Sequence, residues 1–302
     1  MNVGLIIPPI LALVLAPLLL GIINRTKAVF AGRVGSPLLQ PYYDLRKLLG
    51  KGAVYSKTTT WVFRAGPIVS LAALVVATLI VPFGGCAAVL SFPGDLILFA
   101  YLLGLARLFT VLAALDTGSS FEDMGASREV LFSALAEPVL FLGIAALARE
   151  AGQVSLTHIP LADPRPFLSL TQVLVAVALL VVLLCENCRI PIDDPNTHLE
   201  LTMIHEVMVL DHGGPDLAFI LYGAALKLWL FGAVILSLLL PAMNLILGIL
   251  LARAGMLVLA VLVGVIESTM ARLRLLRVPQ LLIGAATFSA LALVLELGRN
   301  SP

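Results

Sequence analysis

The chain has 302 residues, 60% of them apolar and only 12% charged, with a formal net charge of +1. That share of apolar residues excludes an ordinary water-soluble globule, in which it is nearer half. The composition is that of an integral membrane protein, with the lipid bilayer as its surroundings and no nucleic-acid partner expected.

Eight apolar windows are long enough to cross a hydrocarbon core as helices of roughly 20 residues: about 3–23, 61–82, 95–115, 129–149, 167–185, 217–240, 244–268 and 278–297. Lipid leaves isolated strands and loops with unpaired backbone groups. The expected fold is therefore all-α, a polytopic bundle forming one membrane domain over residues 1–302.

The first window has no positive residue before Arg25 and no convincing small-residue cleavage site, so it reads as a retained helix. The loop after it carries Arg25, Lys27, Arg33, Arg46, Lys47, Lys51, Lys57 and Arg64. Within this loop Leu38, Leu39, Tyr42, Leu45, Leu48 and Leu49 recur at helical spacing beside Arg46, Lys47 and Lys51, the pattern of an amphipathic helix in the membrane interface. An ordinary basic loop serving topology is the other reading of the same charges.

The third window holds Arg107, and the loop after it, LDTGSSFEDMGASRE, supplies Asp116, Glu122, Asp123, Arg128 and Glu129 among turn-forming glycines and serines. Glu137 precedes Pro138 inside the fourth window. Arg128, nine residues earlier, is too far along one helix to pair with it, so a counter-charge must come from another element.

Between the fifth and sixth windows runs CENCRIPIDDPNTHLELTMIHE, which sets Glu186, Asp193, Asp194, Glu200 and Glu206 beside Arg189 in a chain that is otherwise mostly hydrocarbon. Charge on that scale is costly in a membrane protein unless paired, wetted or docked. Pro191 and Pro195 prevent a continuous helix. If a helix restarts near Asn196, Glu200 and Glu206 lie on different faces, and the segment reads as a polar lining rather than one paired-carboxylate centre.

His198, His205 and His212 recur every seven residues, whereas ligands on one helix need spacings of three or four, so these histidines read as solvated or hydrogen-bonded and no metal site is expected. Cys185 and Cys188 match a redox spacing without its strand-helix surroundings and, with Cys86, read as packing residues. Of the cations inside later windows, Lys227 is the stronger candidate for a polar interior, while Arg107 and Arg253 have snorkelling to the interface as their alternative.

Positive charge concentrates in the first loop and in Arg272, Arg274 and Arg277 after the seventh window, which predicts a cytoplasmic side for both and an outer side for the two chain ends. The acidic segment then faces the cytoplasm. No phosphate-cradling glycine loop, nucleophile elbow or four-cysteine cluster set occurs. The chain is expected to contribute no catalytic residue and to bind no cofactor itself.

Glu186-x-x-Arg189-x-Pro191-x-Asp193-x-Pro195, followed by Glu200-Leu201, resembles the signature of the respiratory complex I subunit 1 superfamily, the membrane subunit that abuts the peripheral arm. Arg128 with Glu137, and Gln40 with Asp44 and Lys47, match further motifs of that family. Leu115-Asp116-Thr117-Gly118-Ser119, Gly125-Ala126-Ser127-Arg128-Glu129, Ala136-Glu137-Pro138, the Glu267 to Arg274 stretch and the short Gly32 to Pro37 loop are similar to its hydrogenase branch, formate hydrogenlyase subunit 4 and membrane-bound [NiFe]-hydrogenase anchors. Asn196 and His198 stand where complex I often has acidic residues, and Asn24-Arg25-Thr26-Lys27 replaces its Glu-Arg-Lys opening.

The resemblance implies a non-catalytic anchor and coupling subunit in the cytoplasmic (inner) membrane, linking a docked redox module to proton or sodium movement. It implies hydrogenase large and small subunits, iron-sulfur proteins and antiporter-like membrane subunits as partners, with the iron-sulfur clusters and NiFe centre held by them. On this reading Glu137, Glu186, Asp193, Glu200, Glu206 and Lys227 form the ion path, and Arg128 and Arg189 are counter-charges. Arg25, Gln40, Asp44, Lys47, Asp116, Glu129 and Asp194 dock the peripheral arm. The alternative is the quinone-site subunit of a complex I-type NADH:quinone oxidoreductase, with the amphipathic helix guarding a tunnel for the quinone tail.

Overall fold

The computed structural model describes residues 3–157, 169–193, 203–241 and 244–299. Among these, the helices in chain order are α1 (Val3–Phe30), α2 (Gln40–Leu49), α3 (Trp61–Thr78), α4 (Asp95–Asp116), α5 (Ser120–Ala151), α6 (Leu170–Glu186), α7 (Gly214–Leu239), α8 (Leu245–Thr269) and α9 (Val278–Arg299). Every predicted window holds one of them, and α2 is the amphipathic segment of the first loop. Seven are long and apolar enough to span a bilayer, while α6, at 17 residues, sits at the short end of the spanning range.

The loops sort to two ends of the bundle. Gly94 donates to the Val154 carbonyl at 2.7 Å, and residues of the loops after α3, α5 and α7 (Gly84, Thr157 and Pro241) line one small cavity. At the other end Thr60 bonds Asp116, Lys27 pairs with Glu267, Arg272 pairs with Asp193, and Leu273 donates to the Pro191 carbonyl. Alternate loops therefore lie at opposite ends, as successive antiparallel helices require. The basic loops share their end with the acidic segment.

Two helix boundaries differ from expectation. α5 begins at Ser120 rather than near 129, so most of the loop read as turns is helix. Glu122 and Asp123 occupy its first turn, where the helix dipole favours negative charge. Gly125 serves close packing there rather than a turn, because an added Cβ would stand 2.3 Å from Val207 Cγ1. α1 runs on to Phe30, carrying Lys27 to its partner Glu267 on α8. Between Met203 and α7 a single 3-10 turn forms, Glu206–Val209, and the helix start expected near Asn196 lies outside the described residues.

α6 starts at a capping box in which Ser169 and Gln172 satisfy each other's backbone groups. Its end is equally specified. Cys188 has φ 48°, with its amide donating to Cys185 and the Arg189 amide to Leu184, the paired bonds of a Schellman cap, in which glycine is the usual left-handed residue.

The most enclosed helix is α7, which packs against α1, α2, α3, α6 and α8. Pro17 within α1 has no amide to offer the Leu13 carbonyl, and the Tyr222 hydroxyl of α7 donates to that carbonyl at 2.7 Å. Tyr42 of α2 donates to the next carbonyl, Val14. Outward faces carry Ile246, Leu250 and Val258 on α8 and Leu291 and Val294 on α9, which lipid solvates without penalty. The interior packs leucine, isoleucine and valine with alanine and aromatic side chains around a few buried charges.

Candidate functional site

Arg107 projects from α4 into the bundle, and its guanidinium meets carboxylates from two other helices. Nη1 is 2.8 Å from Glu137 Oε1, Nη2 bonds Glu186 Oε1, and Nε stands 4.0 Å from Glu129 Oε1. Lys227 of α7 approaches the other oxygen of Glu186 at 3.4 Å. Among the described residues, two cations thus face three carboxylates contributed by α4 to α7, and one carboxylate charge has no cation of its own. Pairing is what makes such charge tolerable inside a membrane protein.

Two spaces adjoin this cluster. A chamber of about 40 Å³ is lined by Arg107, Glu129, Glu186, His205 and Lys227 among apolar neighbours, which is room enough for a water molecule. A wider cleft of about 290 Å³ between α4 and α5 is mostly apolar and ends on Arg107, Glu137 and Glu186. Glu137 is 49% exposed there, whereas Glu186 is 5% exposed.

A second set of charges latches the loops at the basic end. Glu267 is fully enclosed between Lys27 at 2.8 Å and Arg189 at 3.2 Å. Asp193 pairs with Arg272 at 2.8 Å and accepts the Ile204 amide at 2.8 Å, which holds the acidic segment against the loop after α8. Arg128 donates to the Met203 carbonyl at 2.8 Å.

The predicted path residues are accordingly divided. Glu137, Glu186 and Lys227 join one cluster around Arg107, with Glu137 on its cleft side and Glu186 and Lys227 lining the chamber, while Asp193 belongs to the latch and Glu206 opens the 3-10 turn beside His205. Glu200 and Asp194 lie outside the described residues. Glu137 does take its counter-charge from another element, but that cation is Arg107 and not Arg128. Arg107 points inward rather than snorkelling, while Arg253 is exposed on α8.

Among the residues expected to dock a peripheral arm, Arg25 holds the Gly35 carbonyl at 3.0 Å, Gln40 donates to Asp44 at 2.8 Å, and Lys47 is exposed. Two members of that set differ. Glu129 is buried in the chamber wall, because α5 starts early enough to turn it inward. Asp116 accepts the amides of Thr60 at 2.6 Å and Phe63 at 3.2 Å, capping the start of α3.

Sequence spacing contains no sign of one further grouping. Cys188 Sγ lies 3.9 Å from Glu129 Oε2, and His205 completes a trio whose ligand-type atoms all fall within 4.8 Å of one another. Burial pushes the Cys188 thiol well up. Burial, and then the nearby Lys227 charge, push His205 down to about 4, so its imidazole is neutral at ordinary pH. The three residues come from separate segments, so no one-dimensional spacing could reveal them.

The family model described as NADH dehydrogenase matches residues 2–297. Formate hydrogenlyase subunit 4 of Escherichia coli is 32% identical, with 95% of this chain and 97% of that protein aligned. Hydrogenase-4 component C of the same organism is also 32% identical, over 94% of this chain and 92% of its own. A chain of the membrane-bound sulfane sulfur reductase, an archaeal respiratory membrane complex, has the same fold, with a TM-score of 0.84 at 22% identity, covering 97% of this chain and 98% of that one. The chain therefore belongs to the NADH dehydrogenase family of polytopic membrane subunits, in company with formate hydrogenlyase subunit 4 and hydrogenase-4 component C.

Proposed function

We propose that this hydrogenase-type membrane anchor couples the redox chemistry of a docked module to ion movement through the Arg107 cluster. The observation that carries the reading is the charge count inside the bundle, where Arg107 and Lys227 face Glu129, Glu137 and Glu186. A carboxylate without its own cation can hold or release a proton, and coupled groups redistribute protons when a neighbouring charge changes. The half-exposed Glu137 is the exchange point at the lateral cleft, and Arg107 and Glu186, which line both spaces, link it to the chamber beside Asn187 and His205 of the acidic segment.

The docked module comprises hydrogenase large and small subunits with iron-sulfur proteins, which hold the clusters and the NiFe centre, and antiporter-like membrane subunits complete the ion path. The 32% identity to two hydrogenase-complex components supports these partners. The excess of basic residues in the first and seventh loops supports a cytoplasmic face for the latch and outer positions for both chain ends, in the inner membrane. In the assembled complex, Glu137→Gln should abolish the ion gradient generated during turnover while leaving hydrogenase activity with an artificial dye largely intact. An unchanged gradient in that variant overturns the coupling role. The family match to NADH dehydrogenase favours a quinone-reducing complex as the second reading. Quinone bound to the purified complex would select it.

A further inference from the structure

We infer that Glu129, Cys188 and His205 form a binding site for a borderline-soft divalent cation of the zinc class in the wall of the charged chamber. This inference rests on the donor geometry and goes beyond the coupling role. A thiol, an imidazole and a carboxylate are the donor types zinc takes, with three protein ligands leaving a fourth position open. Hard cations such as magnesium or calcium select oxygen donors instead.

Zinc–donor distances near 2.0 to 2.3 Å place tetrahedral neighbours about 3.5 Å apart. Here the sulfur and the carboxylate oxygen are 3.9 Å apart and all three donors lie within 4.8 Å, so small side-chain rotations close the site. The surroundings suit it as well. Glu129 and Cys188 are buried, and His205 Nδ1 is enclosed with no hydrogen-bond partner. One carboxylate and one thiolate cancel a dication's charge, so Arg107 and Lys227 would not face a net positive centre. The chamber that Glu129 and His205 line has room for a water as the fourth ligand.

The Schellman cap of α6 positions Cys188, the early start of α5 positions Glu129, and the turn before Glu206 positions His205. The site is thus a product of three independent local structures.

The test is metal retention by the full-length chain purified in detergent, stripped with chelator, reloaded with zinc chloride and passed through gel filtration. The wild-type chain should keep about one zinc per molecule, with Cys188→Ser and His205→Ala each binding at least about tenfold more weakly. Cys86→Ser, at the opposite end of the bundle, should bind as the wild type does. Zinc should also raise the melting temperature of the wild-type chain and not that of C188S. A wild-type chain that keeps no zinc, or variants that keep as much as it does, overturns the site. If the variants fail to fold, cobalt loading of the wild-type chain decides, since a spectrum without a thiolate-to-metal charge-transfer band is equally fatal. Loss of zinc binding with ion coupling intact would leave the proposed function standing.

Discussion

Asp116 ends one helix and begins another. A carboxylate at the last residue of α4 is badly placed for that helix's own dipole, but it accepts the Thr60 hydroxyl at 2.8 Å and two amides at the exposed start of α3. Asp116→Ala should therefore lower stability by about 1–2 kcal/mol, the cost of a lost helix cap, read as a drop in melting temperature of the detergent-purified chain. Asp116→Asn, which keeps an acceptor, should recover much of it. A D116A chain that melts with the wild type would exclude the capping role. In the sequence Asp116 is one of several loop charges, and its target lies 56 residues away in the chain, beyond any local pattern. Cys188 is the opposite case. Its local setting, at a helix end just before Pro191, is visible in the sequence, while the carboxylate and imidazole beside it are not.

At the scale of elements, α2 shows what an amphipathic pattern does and does not specify. Its apolar spacing predicts a helix lying at the interface, and α2 does pack on α1 and α7 while Leu38, Leu39 and Leu49 stay exposed. The seat is made by close backbone approach. At Gly21 of α1 an added Cβ would lie 2.1 Å from the Leu38 carbonyl oxygen, leaving no space for any side chain. Gly21→Val should push the approach to α2 away from α1 and break the Tyr42 to Val14 bond. Limited proteolysis in the first loop should then be faster than in the wild-type chain, with the α1–α8 packing retained. Equal cleavage rates would show that α2 is held by other contacts. The same scale accounts for the early start of α5: glycines and serines argue for turns on average, yet Gly125 is needed for tight packing against Val207.

For the molecule as a whole, Arg107 is the residue on which four helices converge, since α5 and α6 meet its guanidinium directly and α7 joins through Lys227 and Glu186. Removing one partner from a buried pair leaves an uncompensated charge, costing about 3–5 kcal/mol. Arg107→Leu should therefore collapse the yield of folded chain in detergent. The double variant that adds Glu129→Gln and leaves Glu186 paired with Lys227 should restore part of it, whereas normal folding of R107L alone would contradict the central role of the cluster. Hydrophobic length and the distribution of lysine and arginine were enough to determine the membrane class, the eight apolar helices, the amphipathic helix between the first two and the end at which basic and acidic loops meet. Lipid enforces each of these on the chain segment by segment. Which charges meet inside was decided only by tertiary structure, because side chains 30 to 79 residues apart become partners through helix packing that no local period encodes.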